Sequence, residues 1–344
     1  MSAKTTQKGQ KRQTNGKTTI RERLQKAIRR LVLLSIVSLV IVSMIMNLSG
    51  TLSRLKADMQ EIAKLSADRI RQELTVSETI VSELGCSYQL SAAVFTPAQK
   101  QEYINQRVEA YGMVRGKLIG SNGICAADGT DYNDREYFKR SMQGEVVVSD
   151  PVIAKTDGKI SVIISAPVYE GGDKNGEIIG VVFVVPDPEF LNDICAAISI
   201  SEHSGCYLLG STGTTIAHSD SAIAQEQKNN MELSQTDSSL KGIAKIEQQM
   251  LKGETGYGTY FRKGVYTLQA YAPIEGTNGW MVAVDAPITD FLGSVVIGII
   301  IGAAIGVIAV TYSIYKAKQI GQRIGEPVAQ CTDRIQLLAQ GDLH

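Results

Sequence analysis

Asp131-Tyr-Asn-Asp-Arg-Glu-Tyr-Phe-Lys-Arg140, followed by Gly144-Glu-Val-Val-Val-Ser-Asp-Pro151 and the apolar run from Ile160 to Val168, is the stretch whose reading decides the fold. Asn133 or Asp134 can cap a helix, Glu136 stands three residues beyond Asn133, and Gly144 can end that helix. Residues 146–148 and 160–164 are β-branched runs bounded by Pro, Gly and Asp, which reads as strands. The unit is therefore a short helix laid on an antiparallel sheet, an α+β arrangement. It sets Arg135, Tyr137 and Phe138 in the helix's first turn, where backbone N–H groups and a fixed cation together favour an anion.

Outside this stretch, charge is sorted along the chain. Residues 1–30 carry ten Lys or Arg against Glu22 alone, a net of +9, whereas residues 51–290 carry 21 basic and 31 acidic residues, a net of −10. Two runs punctuate that pattern. Leu31 to Met46 is uncharged and extends to residue 50, and residues 291–315 hold no charge at all. A bilayer core takes roughly 20 apolar residues, so 31–50 and 291–315 are expected to be transmembrane helices. The basic tail before the first and Lys316, Lys318 and Arg323 after the second place both ends inside. Residues 51–288 are then outside, and the protein is a multi-pass protein of the inner (plasma) membrane. The tail over 1–30 faces anionic headgroups rather than nucleic acid.

The outer segment opens with a helix. Leu52, Leu55, Met59, Ile62 and Leu65, then Ile70, Leu74, Val81 and Leu84, recur at helical spacing over some forty residues. A second helix is expected over 99–111, a strand from 118, and a near-continuous apolar strand over 178–185. Residues 187–200 read as a linking helix. A second sheet follows, with a 205–220 hairpin and strands at 254–260, 266–273 and 279–284. Catalysis and metal binding find no support. The outer-side histidines are His203 and His218, no Cys-x-x-Cys or HExxH spacing occurs, and Asp128, Asp131 and Asp134 do not match an EF-hand. Neither an enzyme nor a resident cofactor or metal is expected.

Asp-Arg-x-Tyr-Phe at 134–138, Ser-Asp-Pro-Val-Ile at 149–153 and the Ser-Ala-Pro-Val strand at 165–168 resemble the distal pocket of the double Cache (dCache) sensor family. The hairpin ending Thr214-Thr-Ile-Ala-His-Ser-Asp220 resembles that family's membrane-proximal hairpin, with Ser219 in place of Pro. The succession Gly256-Tyr-Gly-Thr-Tyr260, Tyr271-Ala-Pro273 and Gly279-Trp280 matches its last three strands in order. The resemblance implies a long N-terminal helix carrying two PAS-like antiparallel subdomains, the distal half at about 115–186 and the proximal half at about 200–286. After the second span, Pro327, Val328, Cys331, Ile335 and Leu338 repeat in 3-4-3 spacing, and Gly341-Asp342 follows. This resembles the first helix of a HAMP signalling module over 316–344, its connector and second helix falling beyond His344.

The resemblance implies a methyl-accepting chemotaxis receptor, a homodimer that binds a small extracellular metabolite and acts through HAMP on a chemotaxis histidine kinase and its adaptor. A histidine kinase or diguanylate cyclase sensor of the same architecture is the alternative. The expected ligand residues are Tyr132, Arg135, Tyr137, Phe138 and Asp150. The guanidinium is a rigid fork for a carboxylate, the rings are walls, and Asp150 accepts from an amine or hydroxyl. Amino-acid-binding members resemble Arg-x-Trp-Tyr, Pro-Tyr-x-Asp and a late strand Asp. Here the matching positions hold Tyr137-Phe138, Pro151-Val-Ile-Ala154 and Val185. With both amine-gripping carboxylates replaced, the expectation moves to a carboxylate or a neutral metabolite.

Overall fold

A computed structural model of the protein describes residues 20–158, 160–187 and 189–339. It forms two units, Leu52–Leu292 and the apolar segments before and after it.

In the larger unit the helix α1 (Ile20–Gly85) supplies the spine. Its Met59, Ala63, Ile70, Leu74 and Val81 are fully or almost fully buried, because apolar residues recurring every three to four positions share one face. Two short helices follow, α2 (Tyr88–Ser91) and α3 (Pro97–Ala110). Thr96 and Gln99 start α3 with a capping box, each side chain answering the other's backbone N–H. The distal half then comprises β1 (Arg115–Gly120), α4 (Glu136–Ser141), β2 (Val147–Val148), β3 (Val152–Ile153), β4 (Ile160–Ser161), β5 (Ile164–Tyr169) and β6 (Ile178–Val185). Its antiparallel sheet runs β1-β6-β5-β2, with β3–β4 as a separate two-stranded ribbon. The last six residues of β6 are buried in succession. They alternate between an inner core shared with α1 and an outer core with α4, so both faces are apolar.

Helix α5 (Phe190–Ala197) leads to the proximal half. There β7 (Gly205–Leu209), β8 (Thr215–His218), α6 (Ser221–Gln225), α7 (Asn230–Leu233), α8 (Lys241–Met250), β9 (Gly256–Arg262), β10 (Val265–Pro273) and β11 (Met281–Pro287) follow in order. The sheet order is β8-β7-β11-β10-β9, antiparallel throughout. One face shares the inner core with α1 and the other packs on α8.

Two local expectations are corrected. Neither Asn133 nor Asp134 caps the six-residue α4. Arg135 itself is the N-cap, in extended conformation and with no side-chain cap bond, so it precedes the first turn. Asn133 instead donates to Asn122 O (3.0 Å) and Asp131 Oδ1 (3.0 Å). Gly123 admits it, since a Cβ there would lie 2.1 Å from Asn133 Oδ1. The single strand expected over 160–164 is broken, because Ser149 takes the place of a strand partner. Its Oγ accepts from Ile163 N (2.9 Å), splitting β4 from β5.

The smaller unit holds the N-terminal part of α1 and helix α9 (Gly293–Ala339). Each contains a stretch long and apolar enough to cross a membrane. Leu31, Leu34, Leu39, Ile300 and Ile308 stand exposed along them. Small residues mark their contact: Cβ atoms on Gly298 and Gly306 would lie 3.1 Å from Asn47 Nδ2 and 3.3 Å from Ile36 Cγ2. Pro327, Val328, Cys331, Ile335 and Leu338 all lie within α9. Cys331 is exposed, and the other four side chains lie outside the described ones. The tail over 1–19, Gly341 and Asp342 also lie outside the described residues.

Candidate ligand cleft

The turns before α4 fix the site. Thr130 N and Asn133 N bond back to Asp128 and Asp131 two residues earlier (3.0 and 2.8 Å), the turn habit of Asp. A bridge between Ile124 and Asp131 seats Tyr132 against the sheet. Tyr132, Tyr137 and Phe183 then pack edge to face, at centroid distances of 5.6 and 5.9 Å from Phe183.

Arg135 lies across this aromatic wall. Its Nη2 donates to Ile153 O at 2.8 Å, and its Nε is buried with no hydrogen-bond partner. The nearest carboxylate oxygen to that Nε is Asp134 Oδ2, at 3.8 Å. The opposite wall is the strap from Val152 to Thr156. Lys155 Nζ holds it down by donating to Asp131 O (2.6 Å) and pairing with Asp134, and it sits 5.8 Å from the Tyr132 ring centroid. Arg115 completes the rim, paired with Asp157. The cavity between strap and wall measures about 10 Å³, room for about one water. A metabolite therefore enters only if the lining opens.

Burial pushes the Tyr132 phenol up to about 12 and raises Tyr137 as well. Both stay protonated at neutral pH and can donate. Lys155's hydrogen bond is the first cause holding the Asp134 carboxyl below its usual range. Arg115 and Lys155 thus each have a carboxylate partner, while Arg135 keeps an unmet buried donor. Chemically the cleft can take a small anion on Arg135, with phenols and rings around its carbon skeleton.

Of the five residues expected to meet the ligand, Tyr132, Arg135 and Tyr137 line this cleft. Phe138 is buried in the outer core beside it. Asp150 is not among the lining residues; its two oxygens accept from Trp280 Nε1 (2.6 Å), Ser211 Oγ (2.8 Å) and Asn278 Nδ2 (3.0 Å). Sequence reasoning missed Arg115 and Lys155. Lys155 directly follows the quoted Pro-Val-Ile-Ala run, so its place there was the one available signal. Among the described residues no cluster of His, Cys, Asp and Glu could hold a metal ion.

Two antiparallel sheets on one long helix, with an aromatic and cationic cleft in the distal half, define a sensory, ligand-binding module. The chain belongs to the Cache domain family, whose dCache_1 model matches residues 49–295. Such a domain is a non-catalytic binding unit, found in membrane receptors on the extracellular side. Solved structures share the fold at low identity. The sensory domain of the Campylobacter jejuni chemoreceptor Tlp3 with isoleucine bound is 12% identical, with a TM-score of 0.54, covering 71% of this chain and 97% of that one. The ligand-binding domain of the Pseudomonas fluorescens chemoreceptor CtaA in complex with L-serine is 17% identical, with a TM-score of 0.52, covering 69% and 99%. The extracellular domain of rpHK1S-Z16, assigned as a histidine kinase, is 14% identical, with a TM-score of 0.53, covering 70% and 98%. A comparison with functionally curated proteins gives no match.

Proposed function

We propose that this chain is the sensory part of a transmembrane chemoreceptor of the methyl-accepting type, which binds a small extracellular carboxylate in the distal cleft. The observation that carries the ligand class is Arg135, whose buried Nε has no hydrogen-bond partner in a cleft walled by Tyr132 and Tyr137. A desolvated guanidinium gains most from an acceptor that can use its fork. The isoleucine and L-serine bound by Tlp3 and CtaA both carry a carboxylate, so an α-carboxylate is within the proposed class. The receptor is a homodimer of the inner membrane. Binding shifts its population between two arrangements, and the HAMP-like segment around Pro327 and Leu338 relays the shift to a histidine kinase and adaptor.

The likeness to rpHK1S-Z16 supports a second reading, in which the same sensor drives a covalently attached kinase. An output module found on the same chain would separate the two: a long methylatable coiled coil for the first, a catalytic domain for the second. The ligand class is tested by thermal-shift screening of the protein in nanodiscs against C2–C6 mono- and dicarboxylates, with the matching amides as controls. Stabilisation by carboxylates and not by amides is expected. Stabilisation by amides alone overturns it.

A further inference from the structure

We propose that Asp150 is a positioning residue that latches the strap of the distal cleft to the proximal sheet, so that movement of the strap is felt by the proximal half. This rests on the reading of the cleft as the ligand site.

Three side-chain hydrogen bonds converge on one distal carboxylate from partners 61, 128 and 130 residues away. Ser211 lies in the turn joining β7 to β8, and Asn278 in the turn joining β10 to β11. Trp280, fully buried, is held through Thr277 Oγ1 to its N–H (3.1 Å) and through its carbonyl to Ile274 N (2.9 Å). Trp280 is therefore fixed by the proximal sheet, and Ser211 and Asn278 are carried by its turns. A carboxylate accepting from all three forms charge-assisted bonds, which are shorter and stronger than neutral ones.

The other side of Asp150 belongs to the cleft. Ser149 is pinned to Ile163, N–H to carbonyl at 2.8 Å and Oγ from the Ile163 N–H at 2.9 Å, and Ile163 lines the cleft. Pro151 alone separates Asp150 from Val152, the first lining residue of the strap. Ile153, next along, carries the carbonyl that Arg135 holds. Pro151 has a ring-fixed φ, so the short path from latch to strap has little slack. Because the cavity has room for about one water, a metabolite needs its lining to open, and the proposal assigns that movement to the strap, whose near end is tied to Ser211, Asn278 and Trp280. Coupling of this kind can travel through a contiguous hydrogen-bonded network, and the bonds to Asp150 supply one.

The test needs no ligand. Ala154 is buried and lines the strap, so Ala154→Trp forces it outward from within the cleft. Hydrogen–deuterium exchange is then followed at residues 210–214 and 275–280 in four full-length forms in nanodiscs: wild type, Ala154→Trp, Asp150→Asn and the double variant. Expected is roughly tenfold faster exchange in both turns for Ala154→Trp, with the increment absent once Asp150→Asn is present, the non-additivity of a coupled pair. A merely structural Asp150 would leave the two effects additive. Additive effects overturn the proposal, and so does a wedge that leaves both turns unchanged in the wild-type background. Should Asp150→Asn fail to fold, Asn278→Ala removes one of the three bonds from the proximal side, and the same interaction is read at reduced size. Carboxylate binding to Arg135 is scored separately, so a failed latch and a failed ligand class are distinguishable.

Discussion

Arg135 shows what one side chain can be asked to do. Its Nη2 is spent on Ile153 O and its Nε makes no hydrogen bond, so a bound carboxylate meets a donor that no longer has water to lose. Arg135→Ala is expected to weaken binding of the best carboxylate from the screen by about 2–5 kcal/mol, with Arg135→Lys recovering part of it. Titration calorimetry checks this, and equal affinities would remove the anion reading. Glu247 makes a different prediction, about pH. It is fully buried on α8, and its Oε1 accepts from Tyr207 Oη (3.1 Å) and Asn230 Nδ2 (2.8 Å) while Oε2 has no partner. Burial raises its carboxyl to about 7, against the opposing pull of those two hydrogen bonds. An acid whose folded pKa lies above its unfolded one holds more protons when folded, so stability falls as pH rises from about 4.5 to about 7 and then levels. Urea unfolding should find Glu247→Gln more stable than wild type at pH 8 by about 3 kcal/mol, the gap narrowing toward pH 5. A pH-independent difference would show that the carboxyl titrates normally.

At the scale of elements, legibility followed periodicity. The α1 stripe and the apolar β6 could be read from spacing, because burial on one helix face or on both strand faces leaves a repeating mark. Residues 221–233 left no such mark. There α6 and α7 are four or five residues long, started by Asp220 and Asn229 caps and held by packing, so their periods are too short to read. The cap of α4 was misassigned for a related reason. Asn133 fits a cap by type, but the partner that claims it, Asn122, lies eleven residues back across a turn. Arg135 was legible because its motif is local. The partners of Asp150 were not, standing beyond any sequence window. Element packing also yields a prediction at the end of α1. A Cβ on Gly85 would lie 2.0 Å from Pro167 O of β5, a backbone atom with no easy retreat. Gly85→Ala should cost about 1–3 kcal/mol, against a gain of about 0.5–1 kcal/mol for Gly50→Ala in mid-helix, where nothing lies within 4 Å. Thermal melts with equal midpoints would mean that the helix end and β5 separate freely.

For the whole molecule, the sorting of charge is the feature that no soluble fold needs. A segment of net −10 lies between two apolar stretches whose outer flanks are basic. The positive-inside tendency acts on such flanks and not on the net charge of a large domain, so the proposed receptor takes its orientation from Lys26, Arg29 and Arg30 on one side and Lys316 and Lys318 on the other. Thiol chemistry offers a direct check. Cys125, Cys195 and Cys206 are buried, Cys86 is half-buried, and Cys331 is exposed on α9 beyond the second apolar stretch. In a Cys86→Ser background, Lys252→Cys adds one exposed thiol in the loop between α8 and β9. A membrane-impermeant maleimide applied to intact cells should label position 252 and spare Cys331, which reacts only after permeabilisation. The reverse order would put the distal cleft in the cytoplasm, where an extracellular metabolite could not reach Arg135. Equal labelling of both thiols in intact cells would mean that no bilayer separates them, and the receptor reading would fail with it.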